Sequence, residues 1–204
     1  MKKNKHLFIS FEGPEASGKS SQINLLKKYL INRKIPYLIT REPGGTIIAE
    51  KLRNIILNKK YNISFIQEIL LLMASRSHHI DNVILPALKK DKVVICDRFA
   101  DSTFVYQGFV NGFGINRTQY LHKIFLNNFL PNKTFLFELS PKNIISRLRS
   151  RKIKNKYDKI DMGFHKKVSL GYKKISKKNK RFIIIDGSLN KQDIHKEIIK
   201  KLGI

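Results

Sequence analysis

The sequence predicts an α/β fold in which a five-stranded parallel β-sheet is flanked by helices. Three observations carry that expectation. Continuously apolar runs recur near residues 7–11, 36–40, 92–96, 134–139 and 181–186, as strands buried on both faces require. Stretches with apolar residues at helical spacing separate them, and alternating strands and helices imply crossover connections in a parallel sheet. The first three runs lead directly into a glycine loop, an arginine turn and an Asp-Arg pair. Ligands bind at the carboxyl ends of strands in open α/β sheets, so these junctions are candidate binding positions.

The first element is the short strand Leu7–Phe11, followed at once by Gly-x-x-x-x-Gly-Lys-Ser from Gly13 to Ser20. Behind it Ile23, Leu26 and Leu30 recur as one face of a helix. Strand, glycine loop and helix in that order mark a P-loop, and with the five runs they make a P-loop NTPase-type sheet. Gly13 and Gly18 lack the Cβ that would keep the backbone off a phosphate. Amide groups of Pro14-Glu15-Ala16-Ser17 and of Ser20 and Ser21 at the helix start, where each has an N–H, would cradle the anion. Lys19 is placed for the β- and γ-phosphates, and the Ser20 hydroxyl for Mg²⁺. The chain is expected to bind a nucleoside triphosphate.

The strand at 36–40 opens into Arg41-Glu-Pro-Gly-Gly45, and a helix is expected over 47–57. A longer helix is expected over 64–88, with Pro86 kinking or ending its last turn. Further helices are expected over 117–129, 141–150, 161–176 and 191–202. No linker or repeat divides the 204 residues, which read as one domain, 1–204. Residues 147–159, RLRSRKIKNKYDK, are basic, poor in apolar residues and without clean periodicity. They are expected to form a mobile lid at about 147–160, a solvated surface loop being the alternative.

Composition narrows the classes. No apolar run approaches membrane-spanning length, and the apolar stretch behind the basic MKKNKH start runs into the glycine loop. The single cysteine, Cys96, permits no internal disulfide and suits a reducing cytoplasm. The net charge of +26 raises a polynucleotide partner as an alternative. However, Lys outnumbers Arg by 31 to 10, and a nucleic-acid site would concentrate Arg with interleaved aromatics. A lysine-filled solvated surface is therefore the preferred reading. The charge still draws in anionic nucleotides.

P-loops serve switches, motors and kinases alike, so the reaction class rests on other residues. The Asp-x-x-Gly run expected of a GTPase switch after its third strand is missing. Asp97 closes the run at 92–96, where it would orient Mg²⁺ through water, and Arg98 beside it can grip a phosphate with two parallel hydrogen bonds. Arg41 has the same placement one strand away and is expected to point into the cleft. Two arginines facing one P-loop suggest a second phosphate opposite the triphosphate, the layout of a nucleotide monophosphate kinase.

EGPEASGKSSQ, TREPGG, LLLMASRSHHI, ILPAL, VVICDRFADST, VYQG and the late FIIIDGS together resemble the thymidylate kinase family, from Leu7 to about Ile199. The resemblance implies transfer of the ATP γ-phosphoryl group to dTMP with Mg²⁺, a lid over the site, and a homodimer. It implies that Glu15 lies near the acceptor sugar and phosphate, that Arg41 and Arg98 grip the acceptor phosphate, and that Arg76 hydrogen-bonds the thymine carbonyl. Thr103 and Gln107 fall where the family reads the base edge, and Tyr106 matches the ring that crowds the deoxyribose. A lid arginine completes the catalytic set; Arg147, Arg149 and Arg151 are candidates, and Arg151 matches best. Catalysis would then rest on Lys19, Glu15, Arg98 and Arg151. The chain departs from the family pattern where Leu72 replaces the usual Phe that stacks on thymine. Its lid is also longer, with Asp158-Lys159-Ile160-Asp161 where Asp-Arg and then Glu are usual. His78 and His79 have no ligand partners in the pattern and are expected to be structural. The rival readings are a kinase for another nucleoside or nucleotide and a nucleic-acid-stimulated ATPase.

Overall fold

The computed structural model describes residues 7–58, 60–149, 162–177 and 179–204. Its centre is a sheet of five parallel strands: β1 (Phe8–Glu12), β2 (Tyr37–Arg41), β3 (Val93–Asp97), β4 (Lys133–Glu138) and β5 (Phe182–Asp186). Their spatial order is β2-β3-β1-β4-β5. From β1 the chain passes to edge strand β2, returns to β3 beside β1, and then crosses to β4 and β5 on the other side, so the reversal falls between the carboxyl ends of β1 and β3.

Alternation along the strands splits the core in two. Ile9 and Phe11 of β1, with Ile95 of β3, face a layer containing Leu26, Leu30, Ile194 and Ile198. These come from α1 (Lys19–Asn32) and α9 (Lys191–Leu202). Phe8, Val94 and Cys96 face the opposite layer, with Ile69 and Met73 of α3 (Phe65–His79) and Leu126 of α6 (Ile115–Leu126). Each fully buried side chain of this kind contributes about 1.5–3 kcal/mol.

α2 (Ile47–Leu57) and α3 both begin on side-chain caps. Thr46 Oγ1 accepts from the Ala49 amide at 3.0 Å, and Ser64 and Gln67 form a reciprocal capping box. The helix expected over 64–88 is continuous but not regular. α3 passes into a π-helical turn at Ile80–Ile84, then into α4 (Leu85–Lys89). Pro86 has no N–H and its ring crowds the carbonyl four residues back, and the wider turn relieves both conflicts without ending the helix.

After β3 comes a segment that no periodicity announced. α5 (Ala100–Thr103) runs into a second π-helical stretch, Phe104–Val110. It places Thr103, Tyr106 and Gln107 together in a buried position. α6 starts two residues earlier and ends three earlier than the expected 117–129. Arg147 and Arg149 of the expected lid belong to α7 (Pro141–Arg149), and α8 (Met162–Ser176) follows the basic segment. Residues 150–161, including Arg151 and Asp158–Asp161, lie outside the described residues.

Candidate active site

In register, Phe11 of β1 and Arg41 of β2 both stand opposite Asp97 of β3. The three strands end level, so the loops leaving them share one cleft. Gly13 turns at φ +134°, where a Cβ would lie 2.5 Å from the Phe137 carbonyl oxygen. Gly18 caps α1 in the left-handed region. The Lys19 ammonium donates to the carbonyls of Gly13 (3.1 Å) and Pro14 (2.7 Å) and to Ser17 Oγ (3.3 Å). The loop thus folds over its own lysine. Burial, reinforced by the nearby Arg98 charge, pulls the Lys19 pKa down to about 8. Ser20 Oγ donates to Asp97 Oδ2 at 3.1 Å, bringing a hydroxyl and a carboxylate together at the open end of the loop.

Arg98 is the hub of the cleft. It holds φ +69°, an uncommon conformation for a side chain of this size and one concentrated at functional sites. Its guanidinium donates to the Gly13 carbonyl (2.9 Å), Ser102 Oγ and Tyr172 OH (both 3.2 Å), and Glu15 Oε1 (2.9 Å). It also lies over the Tyr106 ring, 5.3 Å from its centroid. The Tyr106 hydroxyl donates to the Glu15 carboxylate at 2.9 Å. Burial alone would raise the Glu15 pKa, but the Arg98 and Lys19 charges and this hydroxyl hold it below the usual carboxylate range. Glu15 is therefore a fixed anion and a poor proton acceptor.

Glu12, which the sequence reading passed over, is the fully buried last residue of β1. It accepts from the Phe99 amide (2.6 Å), Ser102 Oγ (2.7 Å) and Tyr172 OH (2.9 Å). Burial and neighbouring Asp101 push its pKa up to about 7. Its three donors tie the β3–α5 turn and α8 to the base of the P-loop, and two of them, Ser102 and Tyr172, also receive hydrogen bonds from Arg98. Its position between an apolar strand and Gly13 was the signal available in the sequence.

A second group forms the wall farther along the cleft. Arg76 is only 2% exposed, and its Nε donates to Glu42 Oε2 at 2.6 Å. Its Nη2 donates to Thr103 Oγ1 at 2.8 Å, while the buried Nη1 has no hydrogen-bond partner among the described residues. An orphaned buried donor beside a cavity calls for an acceptor from a ligand. Glu42 also pairs with His79 Nδ1 at 3.0 Å, and His79 Nε2 meets Thr40 Oγ1 at 2.7 Å. Gln107 and Leu72 complete this wall.

Both groups line one cavity of about 520 Å³, which also takes in Ser17–Ser21, Asp97, Arg41 and Arg53. Arg41 departs from expectation. It stands at the rim, 55% exposed, and pairs with Glu50 at 3.0 Å. Arg53 of α2, not singled out from the sequence, is more enclosed and donates to the Pro43 carbonyl at 2.7 Å. Burial, and then the Arg41 charge, lower its pKa, as expected where cations gather. Arg147 bridges the Ala16 (3.3 Å) and Gly187 (2.9 Å) carbonyls, joining the P-loop to the loop after β5.

A cleft with an anion cradle at one end, clustered guanidinium groups and a buried polar wall has the chemistry to hold phosphate-bearing ligands. Comparison with known proteins agrees. The thymidylate kinase family model matches residues 11–198. The thymidylate kinase of Thermoanaerobacter sp. (strain X514) is 40% identical over 193 residues, covering 94% of this chain and 95% of that protein. That of Acholeplasma laidlawii (strain PG-8A) is 41% identical over 201 residues, covering 96% and 98%. The crystal structure of thymidylate kinase from Ehrlichia chaffeensis superposes with a TM-score of 0.78 at 32% identity, covering 98% of this chain and 99% of that one. Sequence pattern, sheet order and end-to-end similarity converge on one assignment: the chain belongs to the thymidylate kinase family.

Proposed function

We propose that this chain, acting as a single kinase domain, transfers the γ-phosphoryl group of ATP to dTMP, giving dTDP and ADP. The observation that carries the reading is the shared cavity, with the P-loop at one end and the Arg76–Thr103–Gln107 wall along it. The main-chain amides of residues 13–21, proline excepted, and Lys19 hold the triphosphate. Arg98, with Arg53 and Arg41 nearer the rim, holds the acceptor phosphate. An oxygen of that phosphate attacks the γ-phosphorus in line as the bond to the β-bridging oxygen breaks. A phosphate monoester is already a competent nucleophile, so the protein positions the groups and neutralises charge. The depressed pKa of Glu15 fits that account, in which no strong base is needed.

Ser20 and Asp97 supply hard oxygen donors 3.1 Å apart, and Mg²⁺ is commonly held by one or two such groups together with substrate phosphates and water. Bound there, Mg²⁺ would offset phosphate charge. On the acceptor side, Arg76 Nη1 would meet the thymine O4, Leu72 would supply an apolar wall, and the Tyr106 ring would crowd a ribose 2′-hydroxyl. Arg151 remains the assigned lid arginine, from its match to the family pattern. No helix among the described residues is long and apolar enough to cross a membrane. A cytoplasmic site of action suits a chain whose one cysteine is buried and free.

The deciding experiment is a coupled assay across acceptors at fixed ATP and Mg²⁺. dTMP is expected to lead dUMP, dCMP and thymidine in kcat/KM. ATP turnover indifferent to dTMP, with no diphosphate formed, would overturn the reading.

The family resemblance also implies a homodimer, and the helix surfaces support it. Ile66 and Leu70 on α3 and Tyr120 and Ile124 on α6 each lie four residues apart and are 50–64% exposed. Two adjacent apolar ridges of this kind mark an interaction face. Light scattering is expected to give twice the 23.8 kDa of one chain, and Leu70→Lys to give the single mass. A monomeric wild-type protein would exclude this face as a dimer interface.

A further inference from the structure

We infer that Glu68 fixes the side-chain amide of Gln107 so that its oxygen faces the base. The cleft wall then selects a pyrimidine carrying a carbonyl and an N–H over one carrying an amino group and a bare ring nitrogen. The inference rests on the reading of this wall as the acceptor-base site.

Glu68 lies on α3, eight residues before Arg76, and both it and Gln107 are buried while lining the same cavity as Leu72 and Arg76. Gln107 Nε2 donates to Glu68 Oε1 at 2.8 Å. An ionised carboxylate offers only acceptors, whereas a primary amide donates at one end and accepts at the other. Glu68 can therefore be satisfied by Gln107 in one amide orientation only. With Nε2 committed, the oxygen is the end left open, and it takes no hydrogen bond among the described residues.

The neighbouring arginine completes the pattern. Its Nε and Nη2 are occupied by Glu42 and Thr103, leaving Nη1 as the donor without a partner among the described residues. The wall thus offers one donor and one acceptor. Thymine and uracil present O4 to the donor and N3–H to the acceptor. Cytosine presents an amino group to the donor and a bare N3 to the acceptor, so both contacts fail and buried groups are left unpaired. A guanidinium can only donate; an amide can be turned over. Without the carboxylate behind it, Gln107 could rotate and offer N–H to cytosine N3. Glu68 is in this sense a positioning residue acting through Gln107. Sequence position alone does not reveal it, because the partners are 39 residues apart.

The test measures kcat/KM for dTMP, dUMP and dCMP in the wild type, in Glu68→Gln, and in the swap Glu68→Gln/Gln107→Glu. The wild type must first prefer dTMP over dCMP; if it does not phosphorylate dTMP, the proposed reaction fails before this inference is reached. Glu68→Gln is expected to shrink the dTMP:dCMP ratio by about tenfold or more, the scale set by one mismatched buried hydrogen bond. The change should fall mainly on the acceptor KM and leave the dTMP:dUMP ratio and the ATP KM near wild type. The swap restores an amide-to-carboxylate contact with an acceptor toward the base, so it should recover much of the dTMP preference. An unchanged dTMP:dCMP ratio in a folded Glu68→Gln protein, or an equal loss for all three acceptors with no recovery in the swap, would overturn the inference.

Discussion

Lys19→Met should lower kcat/KM for ATP by about 100- to 1000-fold, the range typical of removing one group aimed at developing charge in an enclosed site. The expectation follows from geometry. The ammonium is buried at the base of the P-loop, where among the described residues it donates to the Gly13 and Pro14 carbonyls and Ser17 Oγ. Phosphate oxygens are stronger partners than neutral carbonyls, so a bound triphosphate would draw the ammonium away from them. The same burial gives the contact a pH signature. With a pKa of about 8 in the nucleotide-free protein, Lys19 is mostly charged at pH 7 and mostly neutral at pH 9. A bound triphosphate favours the cation. ATP affinity should therefore fall as pH rises above about 8, approaching a tenfold loss per unit. Binding at pH 9 should also take up protons, seen by calorimetry in buffers of different ionisation enthalpy. A flat affinity profile from pH 7 to 9 would show that this lysine carries no such charge change, and near-normal kcat/KM in Lys19→Met would remove it from the mechanism.

Arg98→Ala is expected to lower kcat/KM for dTMP by about 100-fold or more, through a higher acceptor KM and a lower kcat together. It should also destabilise the fold. Arg98 pairs directly with Glu15, which is 5% exposed, and adds favourable charge beside fully buried Glu12. Removing one partner of such a buried pair costs about 3–5 kcal/mol. Arg98→Lys separates the two effects. A lysine keeps the charge but loses the planar fork that meets a phosphate with two hydrogen bonds. Its melting temperature should stay closer to wild type than that of Arg98→Ala, while the acceptor KM remains raised. Wild-type kinetics in either variant would remove Arg98 from the acceptor-phosphate site.

The site was legible from the sequence to different depths. The P-loop could be read residue by residue because its function lies in consecutive main-chain amides, so chemistry and sequence run in parallel. The Asp97-Arg98 junction was legible because an apolar strand announces its own carboxyl end. Arg41 illustrates the limit. Its place after β2 was clear, but whether it faces inward depended on Glu50, nine residues on, which draws it to the rim. Arg53 was missed because nothing local marks a helical arginine as enclosed; the Pro43 carbonyl that receives it belongs to the preceding loop. Glu12 and Tyr172 were missed for the same reason over a longer span. They hydrogen-bond across 160 residues, a pairing that leaves no local mark in the sequence. The π-helical stretch at Phe104–Val110 also escaped the sequence reading, since a wide turn has no apolar period of 3.6 or 2 to detect.

By itself the sequence determined the five strands, most of the helices between them, the glycine loop and the resemblance to one kinase family, because each depends on local periodicity or contiguous residues. Only the tertiary structure decided which side chains stand behind those that face the cleft. Glu12 beneath Arg98, Glu42 and His79 behind Arg76, and Glu68 behind Gln107 are set by packing between elements far apart in the chain. The physical reason is that a buried polar group must find its partner wherever the fold brings one within about 3 Å.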